Sequence, residues 1–144
     1  MIVPDSSLIL YAYNTASPEH APAKEWWEDI LSGVEPVGLT HPVVFSFLRV
    51  STSPRAFSRP LTVARAAELI QSWLDRKVVR MLGETRNHVS DVIRLLTAAG
   101  SAGGNLVVDA QIAAMAMAHN ATIHTADRDF SRFAGLKFHF PLDS

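Results

Sequence analysis

Four aspartates stand where a carboxylate could do chemistry. Asp5 follows the short apolar stretch Ile2-Val3-Pro4, Asp127 and Asp129 follow the apolar run from Ala121 to His124, and Asp109 lies near the start of an Ala- and Met-rich segment. Ligands of open parallel sheets gather at the carboxyl ends of the strands, so acids placed just after strands are candidate site residues. Anionic oxygens that converge there repel one another unless a cation neutralises them. An all-oxygen set without His or Cys suits Mg²⁺ or Mn²⁺. Such an ion lowers the pKa of bound water and orients it towards a phosphodiester, so no protein nucleophile is required. Each acid also has an ordinary reading: Asp5 as the cap of a helix from Ser6, Asp109 as a first-turn residue, and Asp127 and Asp129 as caps of a short last helix.

Other chemistries find less support. The chain has no cysteine, which excludes thiolate metal sites, disulfides and a Cys nucleophile. Its six histidines show no HxxxH pair. His41, His88, His119, His124 and His139 read as hydrogen-bonded structural groups. Ser51, Ser53 and Ser58 lack the setting of a catalytic serine.

The elements that must position the aspartates follow from hydrophobic period. Ile2-Val3 reads as a strand, and Ser6 to Asn14 as a helix. Ser17-Pro18-Glu19 launches a second helix through Trp26, Trp27, Ile30 and Leu31, ending at Gly33. A strand over Val37 to Thr40 precedes a helix from His41-Pro42, and Ser51 to Pro60 reads as a mobile loop rich in Ser, Pro and Arg. Leu61-Thr62 caps a helix reaching Leu74, followed by a strand from Val78 to Leu82. An amphipathic helix from Thr85 to Ala99 stops at a break from Gly100 to Gly104. The helix from Val107 to His119 has so few polar residues that near-complete burial is expected. Ala121 to His124 is a strand, Asp127 to Phe133 a short helix and Lys137 to Phe140 a last strand. Five short strands alternating with helices predict an α/β fold with a parallel sheet covered on both faces, in one domain over residues 1–144. The N-terminal stretch fits neither a signal peptide nor a membrane anchor, and the longest later apolar run, Ile112 to Ala118, is far short of the roughly 20 residues that cross a bilayer. A soluble, cytoplasmic protein is expected.

Thirteen basic residues against fourteen acidic ones leave a net charge of −1, so a polyanion could be bound only by sorted charge. The charge is sorted. The first 35 residues carry six acids and one base, Lys24, whereas Pro36 to Ala67 has no acid and contains Arg49, Arg55, Arg59 and Arg65. Arg55 and Arg59 flank Phe57, a pattern that offers phosphate contacts and a ring for base stacking, unless Phe57 is tucked into the core. Arg76, Lys77, Arg80 and Arg86 could extend this surface. Trp26 and Trp27 are adjacent on a helix, where successive residues lie ~100° apart, so one indole could be left exposed for a protein contact, unless both pack into one edge of the domain.

The motifs Ile2-Val3-Pro4-Asp5-Ser6-Ser7, Asp109-Ala110-Gln111-Ile112-Ala113-Ala114 and Thr125-Ala126-Asp127-Arg128-Asp129-Phe130 resemble, in order, the acidic motifs of PIN-domain ribonucleases. The segments Asn105 to Ala110 and Asp129 to Leu136 are similar to VapC toxins of bacterial toxin–antitoxin pairs. The resemblance implies a three-layer α/β/α fold with a central parallel sheet of about five strands. It makes Asp5 and Asp109 the principal Mg²⁺ ligands (Mn²⁺ being possible), Asp127 the third catalytic acid and Asp129 an extra one. Ser6 and Thr125 would hydrogen-bond these carboxylates. Arg49, Arg55, Phe57 and Arg59 would contact RNA, whether transfer, ribosomal or messenger. A VapB-type antitoxin and a homodimer are also implied. The chain departs from the family pattern at Ser46, where a Glu is usual two or three residues before an Arg; Glu84 or Asp91 could fill in. The resemblance therefore leaves a metal-dependent endoribonuclease toxin beside a PIN-like module that binds RNA or protein without cutting. A small-phosphoester phosphatase is disfavoured by the Arg-rich loop.

Overall fold

The computed structural model describes residues 1–100 and 103–143. Its strands are β1 (Ile2–Pro4), β2 (Val37–Leu39), β3 (Val79–Met81), β4 (Thr122–His124) and β5 (Lys137–His139). The helices are α1 (Ser6–Tyr13), α2 (His20–Ser32), α3 (His41–Ser51), α4 (Val63–Leu74), α5 (His88–Ala98) and α6 (Leu106–Ala118), with a 3₁₀ turn at Arg128–Arg132. All strand pairs are parallel, in the order β3-β2-β1-β4-β5. The chain thus winds outward from β1 through β2 to β3, then crosses to the other side for β4 and β5. That reversal opens a crevice at the carboxyl ends of β1 and β4.

Register decides what meets there. Pro4 pairs with His124, and the Asp5 amide donates to the His124 carbonyl at 2.9 Å. Asp5 is therefore level with Thr125, and Asp127 follows two residues on. β1 and β2 are buried throughout, as short strands covered on both faces must be.

Several elements differ from the sequence reading. Ser17-Pro18-Glu19 forms a turn, and α2 starts only at His20, because the Ser17 hydroxyl and carbonyl bond the Glu19 and His20 amides before the helix begins. Helix α6 buries Leu106, Ala110 and the run Ile112–Ala116 but leaves Val108 and Met117 exposed, so it is a packed helix with an open side. The break before it lies partly outside the described residues. Gly100, Gly103 and Gly104 all have positive φ, at 67°, 92° and 63°, the backbone region glycine enters without a Cβ clash.

Both adjacent tryptophans are buried. Trp26 and Trp27 stack on each other with ring centroids 5.6 Å apart. Trp27 meets Trp73 of α4 edge-on at 5.3 Å, and Trp73 meets Phe47 of α3 at 4.8 Å. The Tyr13 hydroxyl accepts from both the Trp27 and Trp73 indole N–H groups, at 3.3 and 2.8 Å. Trp26 finds a separate partner, donating to Nδ1 of His124 on β4 at 3.0 Å. The ~100° turn between neighbours is absorbed because α2 faces β4 on one side and α1 and α4 on the other.

Candidate metal centre

Asp5 ends β1 and caps α1. Its Oδ1 accepts from the Ser6 amide at 2.8 Å, and its Oδ2 accepts from the Ser7 hydroxyl at 2.8 Å and the Thr125 hydroxyl at 2.9 Å. The capping reading and the site reading of this residue thus coexist. Burial pushes the Asp5 carboxyl above the ordinary carboxylate range, opposed by the bonds from Ser7, Thr125 and Ser6, and Asp127 adds a further upward push. A carboxylate has about four lone-pair sites, so with three occupied Asp5 keeps one for a cation.

Ser6 contributes its amide rather than the hydroxyl expected of it. The hydroxyl on Asp5 is that of Ser7, which also accepts from the Ala126 amide at 3.3 Å. The Asp-x-Ser spacing at a helix start was the available signal. Thr125 sits between two acids, donating to Asp5 and accepting from the Asp127 amide at 2.9 Å.

Asp127 caps the 3₁₀ turn by accepting from the Asp129 amide at 2.9 Å. Asp109, in the first turn of α6, faces both. Asp109, Asp127 and Asp129 each offer a carboxylate oxygen within 4.8 Å of the others. Oxygens about 2.1 Å from an octahedral Mg²⁺ lie about 3.0 Å apart when adjacent and about 4.2 Å apart when opposite, so the three would draw together around a shared ion. The Asp109 carboxyl is pushed up to about 7, first by burial and then by the charges of Asp5, Asp127 and Asp129. Every charge acting on it is of like sign, the electrostatic condition a hard cation relieves. The residues present therefore fit a divalent ion.

The expected nucleic-acid residues separate. Arg49, Arg55 and Arg59 are exposed, but Phe57 is only 4% exposed. The turn closed by the Phe57 amide on the Ser53 carbonyl, 3.0 Å, folds the ring inward, so Phe57 offers no stacking face. Ser46 and Glu84 line one groove beside α3, whereas Asp91 lies in a different cleft on α5, 3.1 Å from Arg94. Of the two acids that could fill in for the usual Glu, Glu84 shares the Ser46 groove, though it stands apart from the three clustered aspartates.

A three-layer parallel α/β fold with aspartates gathered at its switch point defines a class, and the comparisons agree. The PIN-domain family matches residues 2–136, and the chain belongs to that family. Among its relatives is Ribonuclease VapC33 of Mycobacterium tuberculosis, 41% identical over 142 residues, covering 99% of both chains. Ribonuclease VapC37 of the same organism is 36% identical over 141 residues, covering 98% of this chain and 97% of the relative. Among solved structures, VapC20 of Mycobacterium tuberculosis, described as a sarcin–ricin loop cleaving toxin, superposes with a TM-score of 0.69 at 21% identity, covering 95% of this chain and 99% of the other. VapBC2 from Rickettsia felis, bound to a DNA fragment from its promoter, gives the same TM-score and identity over 96% and 98%. These two likenesses concern the fold. No helix among the described residues is long and apolar enough to cross a membrane.

Proposed function

We propose that this chain, acting as a single PIN domain, is a Mg²⁺-dependent endoribonuclease and the toxin of a VapBC-type pair in the cytoplasm. The observation that carries the reading is the meeting of Asp109, Asp127 and Asp129, with Asp109 held by burial and by the like charges of Asp5, Asp127 and Asp129 well above the ordinary carboxylate range. The full-length relatives named VapC ribonucleases support it. Mg²⁺, or Mn²⁺ in its place, supplies a water of lowered pKa and charge neutralisation when bound. Asp5, Asp109 and Asp127 are the catalytic acids and hold the ion, with Asp129 as a further ligand. Thr125 and Ser7 fix the Asp5 carboxylate in one orientation through its Oδ2. Water oxygen adds to phosphorus and gives one proton to solvent, one P–O bond breaks, and the freed oxygen takes a proton from solvent and leaves as a hydroxyl. Arg49, Arg55 and Arg59 draw the RNA phosphates towards this edge. The RNA is transfer, ribosomal or messenger, cut where it is single-stranded.

A VapB-type antitoxin would oppose this activity by wrapping the first two helices and setting a basic side chain against the acidic pocket. Solved VapBC complexes among the structural neighbours support such a partner. A homodimer is the expected assembly. One feature favours a second reading, a PIN-like binding module that does not cut: Ser46 supplies no carboxylate where the family usually has one. Incubating the full chain with RNA in Mg²⁺ decides between them. Cleavage that disappears with EDTA, and falls on the order of a hundredfold or more in Asp5→Asn and Asp109→Asn while both variants stay folded, is the expected result. Binding without cleavage in Mg²⁺ and in Mn²⁺ would establish the second reading.

A further inference from the structure

Helix α3 turns an aromatic pair outward at its start. Phe45 is 61% exposed, and its ring lies nearly parallel to that of His41, with 19° between planes and 6.4 Å between centroids. The two are four residues apart and so share one helix face. Beside them is a groove of about 460 Å³, a size typical of small-ligand sites. Ser46, Arg49, Glu84 and Gln111 complete its polar lining. Its far wall is Val108, the residue immediately before Asp109. On α6 the groove residues Val108 and Gln111 flank Asp109 in the chain.

The chemistry of the lining is that of a nucleotide. An exposed ring gives a base a stacking face whatever its sequence. Arg49, one turn after Phe45 on the same side of α3, offers the guanidinium that a neighbouring phosphate needs. Gln111 and Ser46 add groups that can donate to or accept from a base edge. The acid-free character of α3 removes repulsion of the phosphate, and Glu84, the groove's one acid, has an oxygen 3.9 Å from His41 Nδ1. Phe57, the ring expected to stack, is buried; Phe45 is left in solvent, more exposed than Phe138 on β5.

We propose that this groove is a nucleobase subsite of the nuclease, in which the base beside the scissile phosphate stacks on Phe45, backed by His41, while Arg49 holds its phosphate. The inference rests on the nuclease reading and deepens it by naming where single-stranded RNA lies.

The test uses the full chain and a short single-stranded RNA carrying one 2-aminopurine, with Ca²⁺ present to neutralise the acids. Anisotropy reads binding, and quenching of the 2-aminopurine reads stacking. Phe45→Ala and Phe45→Leu should each weaken binding about tenfold and abolish quenching, whereas Phe45→Trp should retain both. Phe45 is exposed, so folding should survive, as circular dichroism would confirm. If Phe45→Leu behaves like the parent, the contact is merely apolar and the subsite is wrong. If Phe45→Ala changes the sedimentation coefficient, the ring is covered by a second copy and the subsite is again wrong. A protein that cuts RNA in Mg²⁺ but binds equally with every Phe45 variant loses the subsite and keeps the nuclease. One that never cuts, yet loses quenching with Phe45→Ala, keeps the subsite and loses the nuclease.

Discussion

Asp109 concentrates the tension between function and stability. Its carboxyl is raised from an ordinary value of 3.8 to about 7, so between those values the folded chain holds a proton that the unfolded chain does not. Stability from this residue is complete below pH 3.8 and is lost as pH climbs through 7. Asp109→Asn, which cannot ionise, should therefore melt a few degrees higher than the parent at pH 8, with the gap closing towards pH 4 in metal-free scanning calorimetry. Mg²⁺ or Mn²⁺ should raise the parent's melting point at pH 8 and leave the variant's nearly unchanged. Thr125 presents a different dependence, since it positions Asp5 and the Asp127 amide without meeting substrate. Thr125→Val should lower RNA cleavage roughly 10- to 100-fold at fixed Mg²⁺, and part of the loss should return at higher Mg²⁺.

At the scale of elements, α2 is tied to the sheet and to α4 through single atoms. The Tyr13 hydroxyl serves two buried indoles, so Tyr13→Phe leaves two N–H donors without their acceptor and should cost about 1–3 kcal/mol in urea unfolding. His124 holds the other side of α2 as the acceptor of the Trp26 N–H. Burial first, and the neighbouring His139 second, lower its pKa from 6.5 to about 4. Its contribution is complete above pH 6.5 and is lost as pH falls towards 4, the reverse of Asp109. The two oppose each other across the same window, and Asp5, also raised by burial, acts in the same sense as Asp109. Unfolding measured at pH 5 and pH 7 should show His124→Gln relatively more stable at pH 5 and Asp109→Asn relatively more stable at pH 7.

Over the whole molecule, near-zero net charge conceals charge sorted along the chain, acidic in the first 35 residues and basic in the acid-free stretch from Pro36 to Ala67. Arg55 and Arg59, within that stretch, are exposed. If both neutralise phosphates, the Arg55→Ala, Arg59→Ala double variant should bind single-stranded RNA with a salt slope shallower by about 1.4, since each phosphate contact on a single strand contributes about 0.7. An unchanged slope would place the RNA path elsewhere.

Element order was legible because each element carries its own period, 2 or 3.6 residues, within a few residues of chain. The aspartates at the ends of β1 and β4 were legible for the same reason, as acids directly after apolar runs. What the sequence could not convey depends on residues far apart along it. The hydroxyls on Asp5 come from Ser7, since the helix cap binds Ser6 through its amide, and from Thr125, since the β1–β4 register sets it level with Asp5. Phe57 and Phe45 are equally apolar in one dimension; a turn on Ser53 buries the first, and the α3 face left open beside α6 exposes the second. Trp26 and Trp27 are both buried because packing partners exist on two sides of α2. Periodicity encodes which side of an element is apolar. Only the folded sheet decides what stands opposite it, because contact falls off within a few ångströms while sequence separation places no limit on approach.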